Sequence, residues 1–241
     1  MGRCDFLNHS IIAHRGIYNN ITIYENTIES IMYASKNNLI VEIDIRTTLD
    51  NEIIVYHDED ASRLNNLKDT LNTITLNDLE YISPFHIPTL YEVLTSINGH
   101  VPIIIEIKED NKIIRTKLIE LLKKYNGSIA IQSFNIDIVK FFKKKGFVTG
   151  LLIGTKKNRK YIEQDLDVDF LNIKYDTISK VEANMLKQKY YLIGYTLDNR
   201  KEVETYIKIF NNLVIDNIEE VFKWWRIYDK RKVNSNWRNW L

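Results

Sequence analysis

The sequence predicts a TIM (β/α)8 barrel with a β-hairpin inserted after the second strand. Three observations carry this reading. Nine short apolar segments alternate with segments of helix length. Most of the nine are rich in β-branched residues and nearly continuous in apolar character, as buried parallel strands are. Two of them lie too close together for a parallel crossover, which needs a dozen or more residues.

The first strand is read in "IIAHRG" (11–16), followed by a helix over "TIESIMYASKNN". Asn26 with Glu29 is a capping-box-like start for that helix. The second strand is "IVEIDIR" (40–46), and Asp50-Asn51 is a turn signal before "IIVYHD" (53–58). That third segment must fold back on the second as a hairpin, so eight parallel strands remain, the number a barrel needs. The stretch 59–87 is the longest poorly patterned piece, a loop or small helical excursion over the barrel mouth. Thr89 with Glu92 opens the next helix, and Ser179 with Glu182 and Asn199 with Glu202 open two more. The remaining strands are "VPIIIEIK" (101–108), "SIAIQSF" (128–134), "VTGLLIG" (148–154), "DFLNIKY" (169–175), "LIGYTL" (192–197) and "NLVIDNI" (212–218). "FFKKKG" reads as a helix C-terminus, with basic residues at the negative end of the dipole and Gly146 as cap. An open doubly wound sheet is the alternative architecture. No Gly-rich phosphate loop follows the first strand, which counts against its nucleotide-binding forms.

The 241 residues, 44% of them hydrophobic, can bury a sizeable core, and no domain boundary stands out: residues 1–241 are read as one domain with an aromatic and basic tail at 222–241. Lys plus Arg is 33 and Asp plus Glu is 32, for a net charge of +1. That balance argues against a nucleic-acid binder. Cys4 is the only cysteine, so no intramolecular disulfide can form. With no signal-peptide stretch and no membrane-length apolar run, a reducing, cytoplasmic setting is expected.

Polar groups collect at the C-terminal ends of the strands, where such barrels carry their active sites. The first strand ends in His14-Arg15, the second carries Glu42 and Asp44, the hairpin ends in His57-Asp58, and the next long strand carries Glu106 and Lys108. Residues i and i+2 on a strand face one side. Each pair therefore points into one space, with Ile43 and Ile107 facing the helices. Three converging carboxylates repel one another unless a cation sits among them. All-oxygen ligation suits one hard divalent cation, Mg²⁺ or Ca²⁺. Two histidines beside it supply an acid and a base near neutral pH. Arg15 and Lys108 add positive charge, and a phosphate substrate completes the balance.

The blocks "AHRG…YENTIESIMYA…VEIDIRTTLDNEIIVYHD", "IPTLYEVL" and "IIIEIK", with "IQSF" and "YTLDN" matching more weakly, resemble the glycerophosphodiester phosphodiesterase family over residues 11–200. The resemblance implies a TIM barrel that hydrolyses glycerophosphodiesters to sn-glycerol 3-phosphate and an alcohol with a bound divalent ion. It implies His14 and His57 as the catalytic pair, with His14 favoured as base and His57 as acid. It makes Glu42, Asp44 and Glu106 the metal ligands, Arg15 and Lys108 the phosphate-holding cations, and Glu25 a substrate-side residue close to the metal or to Arg15. Three departures fall at the substrate rim: Tyr24 stands where the family has proline, "YTLD" replaces "WTVN", and the last strand ends in "IDNIEE".

An alternative enzyme is phospholipase-D-like, acting on lysophospholipid or sphingolipid head groups. A silent binding barrel is a third reading, weakened because the strand-end groups are all present. Ser133-Phe134 is read as packing, His86 and His100 as solvent-facing, and His9 and Cys4 as without a role. The tail holds all four tryptophans. It packs on the barrel as a final helix, or makes a peripheral membrane contact.

Overall fold

The computed structural model describes residues 2–154, 156–216 and 218; the 222–241 tail lies outside them. The strands are β1 (Ile12–His14), β2 (Ile40–Thr47), β3 (Ile53–Val55), β4 (Asp60–Ala61), β5 (Leu67–Thr70), β6 (Ile103–Ile107), β7 (Ile129–Ser133), β8 (Val148–Ile153), β9 (Phe170–Lys174), β10 (Tyr191–Leu197) and β11 (Asn212–Ile215). The helices are α1 (Ile28–Lys36), α2 (Ser62–Asn65), α3 (Leu76–Ile82), α4 (Leu90–Ile97), α5 (Lys112–Lys123), α6 (Ile136–Lys144), α7 (Lys156–Arg159), α8 (Lys180–Leu186) and α9 (Arg200–Tyr206). Parallel pairing runs β1-β11-β10-β9-β8-β7-β6-β2, and β1 also pairs with β2. The sheet thus closes on itself, which removes the open-sheet alternative. β3 pairs antiparallel with the far end of β2, Ile45 facing Val55 and Thr47 facing Ile53, as the hairpin expectation required.

Alternation along the strands divides the interior from the outer core. Ile12, Ile40, Ile104, Ala130, Phe170, Ile193 and Val214 meet inside the barrel and close over Leu7 from the N-terminal segment. Asn212 Nδ2 ties that plug in place by donating to Leu7 O at 2.6 Å and Ser10 O at 2.7 Å. Gly150 leaves room for the Phe170 ring, which a Cβ there would meet at 2.1 Å. The alternate residues, Ile43, Ile45, Ile105 and Ile107 among them, pack outward on the helices. Each such buried side chain contributes about 1.5–3 kcal/mol of burial, so the apolar floor is stable enough to carry a polar rim.

The stretch 59–87 is not a bare loop. It holds β4, α2, β5 and α3 over a separate small core of Ile54, Tyr56, Ala61, Leu71, Leu79 and Ile87. Tyr24 stacks on Phe85 of this excursion, with centroids 4.2 Å apart. The Tyr24 departure thus has a structural use.

The helix starts are borne out at Thr89 and Ser179, both full capping boxes. At α9, Asn199 accepts from Glu202 N. The α1 start is corrected by one residue: Thr27 and Ser30 form the box. Asn26 cannot cap, because it adopts a left-handed φ of 58° and its side chain bonds Asp44. His9 has a partner in Asn38, at 3.1 Å. His86 is held between Glu80 and Glu92. Cys4 is partly buried, and that burial pushes its thiol up to about 12.

Candidate active site

Register assembles the mouth. His14 lies beside Glu42, Asp44 beside Glu106, and Glu106 beside Gln132 on neighbouring strands. Residues in register share a face, so these groups all enter the barrel end. Ligand atoms of Glu42, Asp44 and Glu106 lie within 4.8 Å of one another. All three residues are buried.

The surrounding bonds are unequal. Asp44 receives Asn26 Nδ2 at 3.0 Å and faces Lys108 Nζ at 2.8 Å and Arg15 Nε at 3.1 Å. Burial opposes its charge, but Lys108 and Arg15 prevail and hold its carboxyl well below the usual range. Lys108 Nζ also donates to Glu106 at 2.6 Å. Among the described residues Glu42 takes only the amide of Gln132, at 3.2 Å, and that amide is held in turn by Asn172 at 2.8 Å. Burial, then Asp44 and Glu106, push the Glu42 carboxyl up. Burial raises Glu106 as well. Asp44 Oδ1 is met by the Lys108 ammonium at 2.8 Å, whereas Glu42 Oε2 is buried with no hydrogen-bond partner among the described residues. Buried oxygens left in that state carry a desolvation cost. Three buried carboxylates against Lys108 and Arg15 leave surplus negative charge. The hard oxygen set and the orphaned Glu42 oxygen fit a divalent cation.

Both histidines are oriented in the same manner. His14 Nδ1 lies 3.1 Å from Asp216 Oδ1, and its Nε2 lies 4.0 Å from Glu42. His57 Nδ1 lies 2.6 Å from Asp58 Oδ1. A carboxylate only accepts, so Nδ1 carries the hydrogen in each ring and Nε2 is left for chemistry. Asp216 also accepts from the Tyr18 hydroxyl. Burial pulls the His57 proton affinity down; Asp44 opposes this, while Lys108 and Arg15 add to it.

The turn after β1 sets the approach. Arg15 and Gly16 both have positive φ, 55° and 86°. A Cβ at Gly16 would meet the Ser30 backbone at 2.5 Å, so only glycine lets the turn sit against α1. Arg15 Nη1 then reaches Glu25 at 2.6 Å. Of the two places expected for Glu25, the structure gives the one beside Arg15. Both its oxygens are engaged, by Arg15, by Asn20 and by Arg63. Burial alone would raise its carboxyl, but Arg63 and Arg15 bring it down to about 2. Ser133 donates to Ile107 O at 2.7 Å, a packing role.

All eight residues singled out in the sequence lie at this end of the barrel. Arg63, Asp216 and Tyr18 have no role in the sequence reading, and Asn26 has there only that of a helix cap. Asp58 ends the hairpin in the sequence without an evident role, and Gln132 lies in the weakly matching "IQSF" block. Asp216 falls within the "IDNIEE" ending, whose letters alone do not reveal a partner for His14.

A model of the glycerophosphoryl diester phosphodiesterase family matches residues 14–218. A curated glycerophosphodiester phosphodiesterase of Caldanaerobacter subterraneus subsp. tengcongensis is 28% identical over 223 residues, 82% of this chain and 89% of its own. A human lysophospholipase D is 28% identical over 143 residues, 50% of this chain and 43% of its own. The crystal structure of a glycerophosphodiester phosphodiesterase from Thermotoga maritima matches with a TM-score of 0.77 at 26% identity, covering 90% of this chain and 98% of that one. An Oleispira antarctica phosphodiesterase, solved in complex with the product sn-glycerol-3-phosphate, shares the fold with a TM-score of 0.74 at 19% identity, covering 89% and 95%.

Proposed function

The chain belongs to the glycerophosphoryl diester phosphodiesterase family, and on that premise we propose that it cleaves glycerophosphodiesters to sn-glycerol 3-phosphate and an alcohol by acid-base catalysis between His57 and His14. The observation that carries the reading is the buried carboxylate trio, with His14 beside Glu42, His57 within the electrostatic reach of Asp44, and each imidazole held by an aspartate. Glu42, Asp44 and Glu106 would hold Mg²⁺ or Ca²⁺, which when bound supplies Lewis-acid polarisation of a phosphoryl oxygen.

The residues do the rest. Lys108 spends N–H groups on Asp44 and Glu106, and its third is available to phosphate. Arg15, fixed by Glu25, adds a second positive charge against developing negative charge on the phosphoryl oxygens. Burial lowers the proton affinity of His57, which suits the base that takes the proton from the attacking hydroxyl, of water or of the substrate itself, as the new phosphorus–oxygen bond forms. His14 then gives a proton to the leaving alkoxide from Nε2. This order is the reverse of the one favoured from sequence. It rests on burial, which a linear reading does not reveal.

The test uses leaving groups of different basicity. His14→Ala and His57→Ala should each lower kcat by about 10²-fold or more on glycerophosphocholine. On a nitrophenyl diester, whose leaving group needs no proton, His14→Ala should recover most of its activity and His57→Ala should not. Near-normal turnover by both variants on the choline ester sinks the pair, and rescue of His57→Ala in place of His14→Ala reverses the order. The similarity to a human lysophospholipase D makes lysophospholipids the second substrate class to assay.

A further inference from the structure

Arg63 lies outside the barrel, on the one-turn helix α2 of the excursion. Its guanidinium reaches back to the mouth and is clamped to two carboxylates. Nη1 and Nη2 donate to Glu25 Oε2 and Oε1 at 2.9 and 2.6 Å, and Nε donates to Asp58 Oδ2 at 2.7 Å. Each carboxylate holds a second group. Asp58 Oδ1 takes His57 Nδ1 at 2.6 Å, and Glu25 Oε1 takes Arg15 Nη1 at 2.6 Å.

We propose that Arg63 is a positioning residue for catalysis: by fixing Asp58 it fixes the ring of His57, and by fixing Glu25 it fixes the guanidinium of Arg15. The inference rests on the roles proposed above for His57 and Arg15.

An exposed ion pair alone would carry little weight, since solvent screens it and side-chain entropy opposes it. This one differs in geometry. The planar fork of arginine spans a bidentate carboxylate on one edge and a second carboxylate at Nε, which a lysine cannot do. Glu25 is 3% exposed, whereas the Arg63 side chain is 42% exposed. Arg63 therefore does not fill a core; its contacts point at the site. α2 itself is anchored at both ends. Asp60 Oδ1 accepts from Ser62 N at 2.9 Å, and Tyr56, next to His57, donates through its hydroxyl to Asn65 at 2.7 Å. Without Arg63, Asp58 loses the partner opposite His57 and can rotate, so Nδ1 of the ring is no longer held in one tautomer. Glu25 keeps Arg15 and Asn20, and Arg15 keeps Asp44 at 3.1 Å, but the Glu25 carboxylate is no longer held from its far side.

The experiment measures kcat and KM on glycerophosphocholine, with added Mg²⁺ or Ca²⁺, for Arg63→Ala, Arg63→Lys, Asp58→Asn and the Arg63→Ala/Asp58→Asn pair, with His57→Ala as control. Thermal melts check the fold. We expect kcat of Arg63→Ala to fall about 10–100-fold, the size of effect a small misplacement produces. Lysine should restore only part of it, and millimolar ethylguanidinium should rescue the alanine variant. The double variant should cost no more than its worse single, because both act through one ring. Arg63→Lys serves if the alanine variant does not fold. A kcat within twofold of the parent with only a lowered Tm overturns the proposal, as do additive losses. If His57→Ala itself turns over normally, the proposed role of His57 fails instead. The clamp is then judged by ¹⁵N NMR of the His57 ring, where an Nδ1–H tautomer equally fixed in the parent and in Arg63→Ala overturns it.

Discussion

At the scale of single residues, Glu25 shows how function and stability share one side chain. Its carboxyl is 3% exposed and is paired with Arg15 and Arg63. The fall from the ordinary 4.5 to about 2 corresponds to roughly 3 kcal/mol of linked stability. The sign follows from a depressed folded-state value: the contribution is fully present above pH 4.5 and is lost as pH falls toward 2. Urea midpoints of the parent and of Glu25→Gln, compared between pH 5 and 2, should therefore converge on acidification, the parent losing its advantage in that window. A constant gap across the range would detach Glu25 from the acid response. Glu25 was legible in the sequence because it follows the first strand in a recognisable block. Asp216, the partner of His14, was not, although it too ends a strand. The two are 202 residues apart in sequence and meet only because β11 closes on β1. Arg63 was hidden for a related reason: its three bonds run to residues that the linear order assigns to two different strand-end groups.

At the scale of elements, the barrel strands could be read because each is a β-branched run with polar residues at fixed parity. The hairpin followed from the shortness of one connection. What could not be read were elements stabilised by context. α1 starts at Thr27 because Asn26 is committed to Asp44, a contact no capping rule contains. The excursion lacks clear periodicity because its elements have two to seven residues, and they fold only over the shared core of Ile54, Tyr56 and Leu79. Thr89 connects this excursion to the barrel wall. It caps α4 in a full box with Glu92, and its backbone bridges to Ile54 beside the hairpin. Thr89→Ala should cost about 1 kcal/mol, the usual value of an N-cap, read as a lowered urea midpoint at unchanged m-value. Turnover should hold at temperatures where the variant stays folded. No change in midpoint would mean that the box is redundant with the bridge.

At the scale of the whole molecule, the chain carries a balanced net charge of +1, yet the barrel mouth does not balance locally. Glu42, Asp44 and Glu106 bring three buried carboxylates together, and among the described residues Lys108 and Arg15 are the Lys and Arg side chains paired with them. The apolar floor of Ile12, Ile40, Ile104 and Phe170 lies directly beneath and offers no screening. The folded state therefore bears a repulsion that the unfolded chain, with these groups in water, does not. A divalent cation binding the folded state would remove it, and binding shifts stability by mass action: about 2.7 kcal/mol at a concentration 100-fold above Kd. For a domain of this size that is a rise in Tm of about 5–10 °C. Protein stripped with EDTA should show this rise when Mg²⁺ or Ca²⁺ is added, with turnover restored in parallel. Glu106→Gln separates charge from ligation. Removing one carboxylate relieves repulsion, so the stripped variant should melt no lower than the stripped parent. It should also lose both the cation-dependent rise and turnover, since one ligand is gone. A parent whose Tm ignores both cations, or a Glu106→Gln variant that keeps the full rise at the same concentrations, would mean that these carboxylates meet for a reason other than holding an ion.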